Sequence, residues 1–353
     1  DGVPNGKWVF LNGNNTPRLA RIDLKTFRTA EILEIPNSAG NHSSPFTTEN
    51  SEYVVCGTRF SIPMKELDVP IESYREKFNG TVSFIKVNPE SGNMNVEFQI
   101  MTPPFDYDLS HAGKGPSKDW FFFSCYNTEE AFTLLEVNAS QKDKDFIMAV
   151  NWRKAEQYLK EGKAKDVASE YYHNVYDESK HMATSEVLKT VKMLDPKDCP
   201  DMIYYIPCPK SPHGADVDPS GEYIVGGGKL ATVIPVFSFS KMLKAIESKQ
   251  FDGDVAGIPV IKYEAALHGE VQKPGLGPLH TEFDDKGFAY TSMFVSSEVV
   301  KWDVKKLEVV DRAASFYSVG HIMIPGGDSK KPYGKYLVVM NKITKDRFLP
   351  TGP

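Results

Sequence analysis

A repeated strand unit constrains the fold of this chain most strongly. The unit consists of a polar turn with glycine, a β-branched or aromatic strand, a short break, a second alternating strand and a turn led by Asp or Asn. Copies of the unit occupy residues 5–33, 50–100, 118–137, 220–239, 286–312 and 333–348. Short alternating strands that recur at a spacing of roughly fifty residues are typical of propeller blades. The sequence therefore predicts an all-β propeller.

Two segments interrupt this pattern with residues that favour helices. Residues 151–193 begin "NWRKAEQYLKEGKAK", and residues 238–251 read "SFSKMLKAIESKQF". Apolar residues at helical spacing predict helical insertions that pack outside the ring of blades. The last copy of the unit contains one or two strands, and a propeller must close to remove its sheet edges. We therefore expect residues 1–353 to form one propeller domain, either as part of a longer protein or closed in an unusual way.

Charge and hydropathy exclude several classes of function. The formal net charge is −6 and no basic stripe is present, which argues against nucleic-acid binding because that requires cations to replace phosphate counterions. No apolar run approaches the roughly twenty residues that span a bilayer. The first residues also lack a signal-type apolar core. We expect no nucleic-acid partner and no membrane span.

The four cysteines provide no metal-binding pattern. Cys56, Cys125, Cys199 and Cys208 contain no Cys-x-x-Cys pair, which argues against a zinc ribbon, a thioredoxin motif or an iron–sulfur site. Cys199 and Cys208 bracket "CPDMIYYIPC" and could form a disulfide in an oxidising compartment. The sequence leaves both the disulfide and two free thiols open.

Four of the eight histidines stand just before a strand of a predicted blade: His42, His213, His280 and His321. The first strand of each blade lines the central channel, so side chains at equivalent positions converge on the axis. Imidazole is a good ligand for copper, zinc, iron and nickel, and the four histidines together predict an axial transition-metal site. For each histidine alone, a hydrogen bond within a loop is the alternative. The remaining histidines are not expected to be ligands: His111, His173, His181 and His268.

Several longer stretches resemble the propeller domain of nitrous oxide reductase. They read "PHGADVDPSGEYIVGGGKL", "GLGPLHTEFDDKGFAYTSMFVSSEVVKW", "VGHIMIPGG" and "NKITKDRFLPTGP". The resemblance covers nearly the whole chain and implies a seven-bladed propeller followed by a cupredoxin domain. It also implies a tetranuclear copper–sulfide cluster on the propeller axis, held by seven histidines. Four of these ligands are matched by His42, His213, His280 and His321. Lys342 matches a family lysine near the cluster that would orient or protonate the substrate.

The stretch "SCYNTEEAFTLLEVNASQKDKDF" resembles a calcium site of the same family. Tyr126, Glu129, the backbone carbonyl of Val137 and Asp143 match the family's ligand positions, and oxygen ligands of this kind suit a hard cation. Ser211 stands where the family has an asparagine ligand. The resemblance also implies that Lys342 lies near a second calcium site. An acidic solvated loop is the alternative explanation.

The resemblance implies that the full-length protein reduces nitrous oxide to dinitrogen and water in the periplasm, as a step of denitrification. It further implies an electron donor such as a cytochrome or a cupredoxin, and a head-to-tail homodimer. Three of the seven ligand positions and the cupredoxin domain fall outside residues 1–353. We therefore expect a copper cluster in this chain alone to be incomplete or absent, and we expect no nitrous oxide reduction by it.

Two other functions are compatible with a propeller. A non-catalytic propeller would use its face to bind a protein or another ligand, and its axial histidines would bind no metal. A calcium-dependent hydrolase such as a lactonase would need acidic residues on the axis. This sequence places histidines there, which makes the hydrolase the weakest of the three interpretations.

Overall fold

The computed structural model describes residues 3–43, 45–64, 66, 68–126, 145–177 and 182–342. Strands dominate these ranges, and the α-helices contain only four to nine residues. None of the helices in these ranges has the length and apolar character that a bilayer crossing requires. The described part of the chain confirms the prediction of an all-β propeller.

The first two blade units are antiparallel meanders. In chain order their strands are β1 (Trp8–Asn12), β2 (Arg18–Asp23), β3 (Arg28–Glu34), β4 (Tyr53–Gly57), β5 (Ile62–Pro63), β6 (Phe78–Val87) and β7 (Met94–Thr102). The first meander pairs β1 with β2 and β2 with β3, and the second pairs β4 with β6 and β6 with β7. A short helix, α1 (Tyr74–Lys77), precedes β6. Both meanders match the predicted repeats.

The third unit and a long hairpin follow. Their elements are β8 (Asp106–Ala112), β9 (Trp120–Tyr126), β10 (Phe146–Asn151), α2 (Trp152–Lys160), β11 (Lys165–Asp177), β12 (Met182–Leu194) and β13 (Ile203–Pro207). The third sheet runs β8–β9–β10–β13. All seven residues of β9 are buried. Phe121 and Phe123 pack into one core and Phe122 into the next, as alternation of side chains across a central strand requires.

The prediction of helix over residues 151–193 is correct only for its first part. Asn151 caps α2 by accepting the backbone N–H of Lys154, and the helix ends before Gly162, whose φ is +72°. The rest is the hairpin β11–β12, which pairs with β3 on one side and β7 on the other and so joins the outer edges of the first two meanders. Strand pairing at these two edges overrides the helical propensity of the segment.

The remaining strands complete three further units. Their elements are β14 (Pro212–Val217), β15 (Tyr223–Gly228), β16 (Val233–Ser238), α3 (Phe239–Glu247), β17 (Phe251–Val255), β18 (Ile258–Ile261), α4 (Tyr263–Ala266), β19 (Leu267–Gln272), β20 (Pro278–Phe283), β21 (Phe288–Met293), β22 (Glu298–Asp303), β23 (Glu308–Ala314), β24 (Val319–Met323) and β25 (Val338–Asn341). The sheets run β14–β15–β16–β19, β20–β21–β22–β23 and β24–β25, while β17–β18 extends the third sheet. Helix α3 confirms the predicted insertion at 238–251. The described ranges contain six blade units, one fewer than the seven that the resemblance implies.

Turns led by aspartate join these strands, as the repeat predicts. Asp218, Asp284 and Asp303 stand at the ends of strands, and each carboxylate accepts backbone N–H groups two to five residues further on. Side chains of this type stabilise tight turns by replacing a backbone hydrogen bond. The recurring aspartate therefore determines where each hairpin reverses.

The first strands of successive units lie side by side. Strand β4 contacts β8, β8 contacts β14, β14 contacts β20, and β20 contacts β24. Gly214 permits the close approach of β14 to β20, because a Cβ there would lie 2.0 Å from the carbonyl oxygen of Leu279. This row of inner strands positions the candidate site.

The cysteines are all free and buried. Cys199 and Cys208 pack into different apolar clusters, so the disulfide that the sequence left open is not formed.

Candidate metal centre

The structure brings the four predicted histidines together. His42 lies in the segment between β3 and β4, while His213, His280 and His321 lie within β14, β20 and β24. The ring centroids of His42 and His213 are 5.9 Å apart, those of His213 and His280 are 4.8 Å apart, and those of His280 and His321 are 4.5 Å apart. These four side chains are called the histidine cluster below.

A β-bulge holds each of the three strand histidines. The strand that carries the histidine has one residue more than its partner between Pro212 and Gly214, between Pro278 and Thr281, and between Val319 and Ile322. A bulge re-aims a side chain relative to the regular pleat, and bulges are common beside functional sites. The sequence pattern predicted these histidines just before the strands. They instead lie inside the strands, at the irregular point.

Asp108 anchors two members of the histidine cluster. It lies on β8 and is fully buried, and its two carboxylate oxygens accept hydrogen bonds from Nδ1 of His42 and Nδ1 of His213. A carboxylate that binds one ring nitrogen fixes the tautomer and leaves the other nitrogen as a lone-pair donor. In this arrangement Nε2 of His42 and of His213 is the nitrogen available to a metal ion.

The groups around Asp108 keep this carboxyl ionised. Burial alone would raise its pKa, but the neighbouring His213 imidazole, the Lys229 ammonium and the His42 imidazole hold the pKa well below the usual value. Lys229 Nζ lies 3.2 Å from Asp108 Oδ2. Neither Asp108 nor Lys229 was found from the sequence. The available signal was a pair of acidic residues, Asp106 and Asp108, in "DYDLSHA", a strand whose residues are all buried.

Burial favours the neutral form of His213, His280 and His321. It lowers the pKa of His213 to about 3 against the attraction of Asp108, and it lowers the pKa of His321 to about 4. The pKa of His280 also falls well below its usual value, first because of burial and then because of His213. Nε2 of His280 is buried without a hydrogen-bond partner. Neutral imidazole is the form that binds a metal ion, so these rings present suitable donors at neutral pH.

Lys342 reaches the histidine cluster from the end of β25. Its Nζ lies 3.5 Å from Nε2 of His213. Gly320 provides the space, because a Cβ there would lie 2.4 Å from Lys342 Cε. Desolvation lowers the pKa of Lys342, the attraction of Asp108 opposes this, and Lys229 lowers it further.

The donor set fits copper in chemical type, since imidazole nitrogen binds copper strongly. The described residues nevertheless contain no group of three or more His, Cys, Asp or Glu side chains arranged to hold one metal ion. The cluster gathers the donors without placing them around a single point.

Known proteins match this chain along its whole length. The nitrous-oxide reductases of Pseudomonas fluorescens and Cupriavidus necator are 29% and 30% identical to it over 369 and 378 residues, and that of Stutzerimonas stutzeri is 27% identical over 368 residues. Each alignment covers 100% of this chain. The family described as "Nitrous oxide reductase propeller repeat" matches residues 312–353. The chain is a relative of the propeller region of nitrous-oxide reductases. It spans 52% of the length of each of these relatives.

A solved structure of a functionally unknown protein from Desulfotomaculum acetoxidans superposes with a TM-score of 0.50 and 10% identity. The match covers 95% of this chain and 73% of that one. At this identity the likeness concerns the fold alone.

The calcium residues implied by the resemblance to nitrous oxide reductase are only partly described. Glu129, Val137 and Asp143 lie outside the described residues. Tyr126 ends β9 and is buried, and its ring lies 3.8 Å from Lys229 Nζ. Ser211 is buried, and its backbone N–H donates to Asp145 Oδ2 at 2.8 Å. The calcium site remains a prediction.

The other histidines have partners away from the cluster. His111 lies in β8 rather than in a loop and contacts Asp328 at 2.9 Å. His173 lies in the strand β11 rather than in a helix and hydrogen-bonds Glu31. The ring of His268 packs 4.7 Å from that of Tyr223. His181 lies outside the described residues.

Proposed function

We propose that this chain is the copper-binding propeller portion of a nitrous oxide reductase, with the histidine cluster as part of its copper site. One observation carries the proposal. Four histidines that are widely separated in the sequence meet in one cluster, and Asp108 orients two of them. The relationship to nitrous-oxide reductases along the whole chain supports the proposal independently.

The reaction consumes two electrons and two protons for each nitrous oxide that becomes dinitrogen and water. Bound copper would supply the redox chemistry that this inert substrate needs. The chain's own residues supply the rest. The buried imidazoles provide neutral nitrogen donors, Asp108 fixes two rings, and Lys342 holds an ammonium 3.5 Å from His213, where it can orient a ligand or donate a proton.

Further features are proposed from the resemblance described in the sequence. They comprise a calcium site at Tyr126, Glu129, Val137, Asp143 and Ser211, a contribution of Lys342 to a second calcium site, a periplasmic location, an electron-donor protein and a homodimer of the full-length enzyme. The calcium proposal predicts that Asp143→Ala abolishes any rise in melting temperature that calcium causes, because a ligand that binds only the folded state stabilises it by mass action. An equal rise in the variant would place the calcium elsewhere.

One observation favours the alternative of a non-catalytic binding propeller. Within the described ranges, no three side chains of ligand type already surround one point. If this alternative is correct, the histidines bind no copper and copper does not change the stability of the fold.

Copper titration of the metal-free chain distinguishes the two functions. We expect the chain to bind less copper than a complete four-copper cluster holds. This binding should decrease sharply in His213→Ala and His280→Ala and should be retained in His268→Ala, a matched change outside the cluster. Equal copper binding by all four proteins would contradict the proposal. In the protein that contains this propeller, the same cluster variants should lose nitrous oxide consumption when assayed by gas chromatography with reduced viologen.

A further inference from the structure

We propose that Lys229 is a positioning residue of the candidate metal centre: its ammonium fixes the Asp108 carboxylate and thereby sets the ring orientations of His42 and His213. This inference rests on the proposed function, in which those two rings face a metal. Lys229 lies between β15 and β16, and its Nζ pairs with Asp108 Oδ2, so its effect on the orientation of the two rings passes through Asp108.

Two contacts hold the Lys229 ammonium in place. Nζ lies 3.2 Å from Asp108 Oδ2 and 3.8 Å from the centroid of the Tyr126 ring. The Lys229 side chain is 18% exposed and that of Asp108 is 1% exposed, so water screens the pair only weakly. A desolvated cation over an aromatic face gains energy from the ring quadrupole as well. Tyr126 and Asp108 thus define one position for the ammonium.

The backbone of Lys229 is fixed relative to His213. The N–H of Lys229 donates to the carbonyl of Ser211 at 2.9 Å, and Ser211 stands two residues before His213. The preceding Gly228 lies tightly against this segment, since a Cβ there would be 2.3 Å from the carbonyl oxygen of Pro209. The Lys229 side chain therefore starts from a point tied to the strand that carries His213.

The Lys229 ammonium is the third donor to the Asp108 carboxylate, and it restricts the rotation of that carboxylate. Oδ1 accepts from His42, while Oδ2 accepts from His213 and also pairs with Lys229. With the two imidazole donors alone, the carboxylate could rotate about its Cβ–Cγ bond and exchange its oxygens between the rings. The ammonium distinguishes Oδ2 from Oδ1 and holds the carboxylate plane. Partners of this kind orient metal-binding imidazoles and control metal affinity.

The first test needs no metal. Nitrogen-15 NMR of the metal-free chain reports which ring nitrogen of each histidine carries the proton. We expect one Nδ1–H tautomer for His42 and His213 in the wild type and in Lys229→Arg, and mixed tautomers in Lys229→Met. Lys305→Met makes the same change at an exposed lysine and should match the wild type. If Lys229→Met does not fold, Lys229→Gln, which lacks the charge, takes its place.

The second test measures copper affinity for the same variants. We expect the dissociation constant to rise about 10- to 100-fold in Lys229→Met, as for other outer-shell partners of metal ligands. Lys229→Arg should restore it, and the electron paramagnetic resonance spectrum of bound Cu(II) should change only in Lys229→Met. Unchanged tautomers together with unchanged copper affinity in Lys229→Met would overturn the positioning role. Absence of copper binding by the wild type, with tautomers that still respond to Lys229, would instead refute the proposed function.

Discussion

Replacing Asp108 with Asn tests the anchoring of the histidine cluster. The carboxylate is fully buried and accepts hydrogen bonds from the imidazoles of His42 and His213. Its Oδ2 lies 3.2 Å from Lys229 Nζ. An amide offers a single acceptor oxygen and turns an N–H group toward a donor, and it leaves the Lys229 ammonium without its counter-charge. Breaking a buried ion pair by removing one partner costs about 3–5 kcal/mol.

This free energy corresponds to a measurable thermal shift. The entropy of unfolding per residue gives about 0.7 kcal/mol/K for a chain of 353 residues. We therefore expect Asp108→Asn to lower the melting temperature by about 4–7 °C, measured by calorimetry or by circular dichroism at neutral pH.

Asp106 provides the matched control, since it is a buried aspartate two residues away on the same strand. Burial first and the charge of Asp108 second raise the pKa of Asp106 to about 8, so its neutral form is already favoured at neutral pH. Asp106→Asn keeps an uncharged side chain of the same shape and removes the cost of protonating the carboxyl on folding, so it should not lower the melting temperature at neutral pH. If Asp108→Asn has the same melting temperature as the wild type, or if Asp108→Asn and Asp106→Asn lose equal stability, Asp108 does not anchor the cluster.

Three further predictions concern the fold around the site. The pKa of Asp106 is about 8 in the folded chain and 3.8 when unperturbed, so between these values the folded state holds a proton that the unfolded state releases, and the free energy of unfolding falls as the pH rises. Asp106→Asn should therefore lose less stability than the wild type between pH 5 and pH 8 in denaturant titrations. Gly214→Ala should destabilise the chain by about 1–3 kcal/mol because its methyl group meets the Leu279 carbonyl, and stability equal to the wild type would show that the inner strands can separate. All four cysteines are buried free thiols, so a thiol reagent should label none in the native chain and four after unfolding, whereas only two after unfolding would reveal a disulfide.

The sequence predicted the features that depend on local pattern. Aspartate-led turns such as that at Asp284 and short alternating strands identified the propeller before any contact was known. The equivalent positions of His213 and His280 then predicted that their side chains converge. Each of these inferences needs only the register of one strand and its turn.

Features set by tertiary pairing were not predicted. The segment after α2 is rich in Lys, Glu and Ala and favours helix, yet β11 and β12 form because β3 and β7 offer unpaired edges. Gly162, with its positive φ at the end of α2, was the local signal that the helix stops there. The sequence did not predict the roles of Asp108 and Lys229, because these roles arise only where β8 and the loop after β15 meet.

The most direct test of the central claim is the location of copper in a crystal of this chain prepared with copper. Anomalous difference maps recorded on either side of the copper absorption edge identify the metal and its position. We predict copper density beside the imidazole nitrogens of His213 and His280, with Asp108 still bonded to Nδ1 of His213. Copper density only at other sites, or an ordered histidine cluster without copper, would contradict the account.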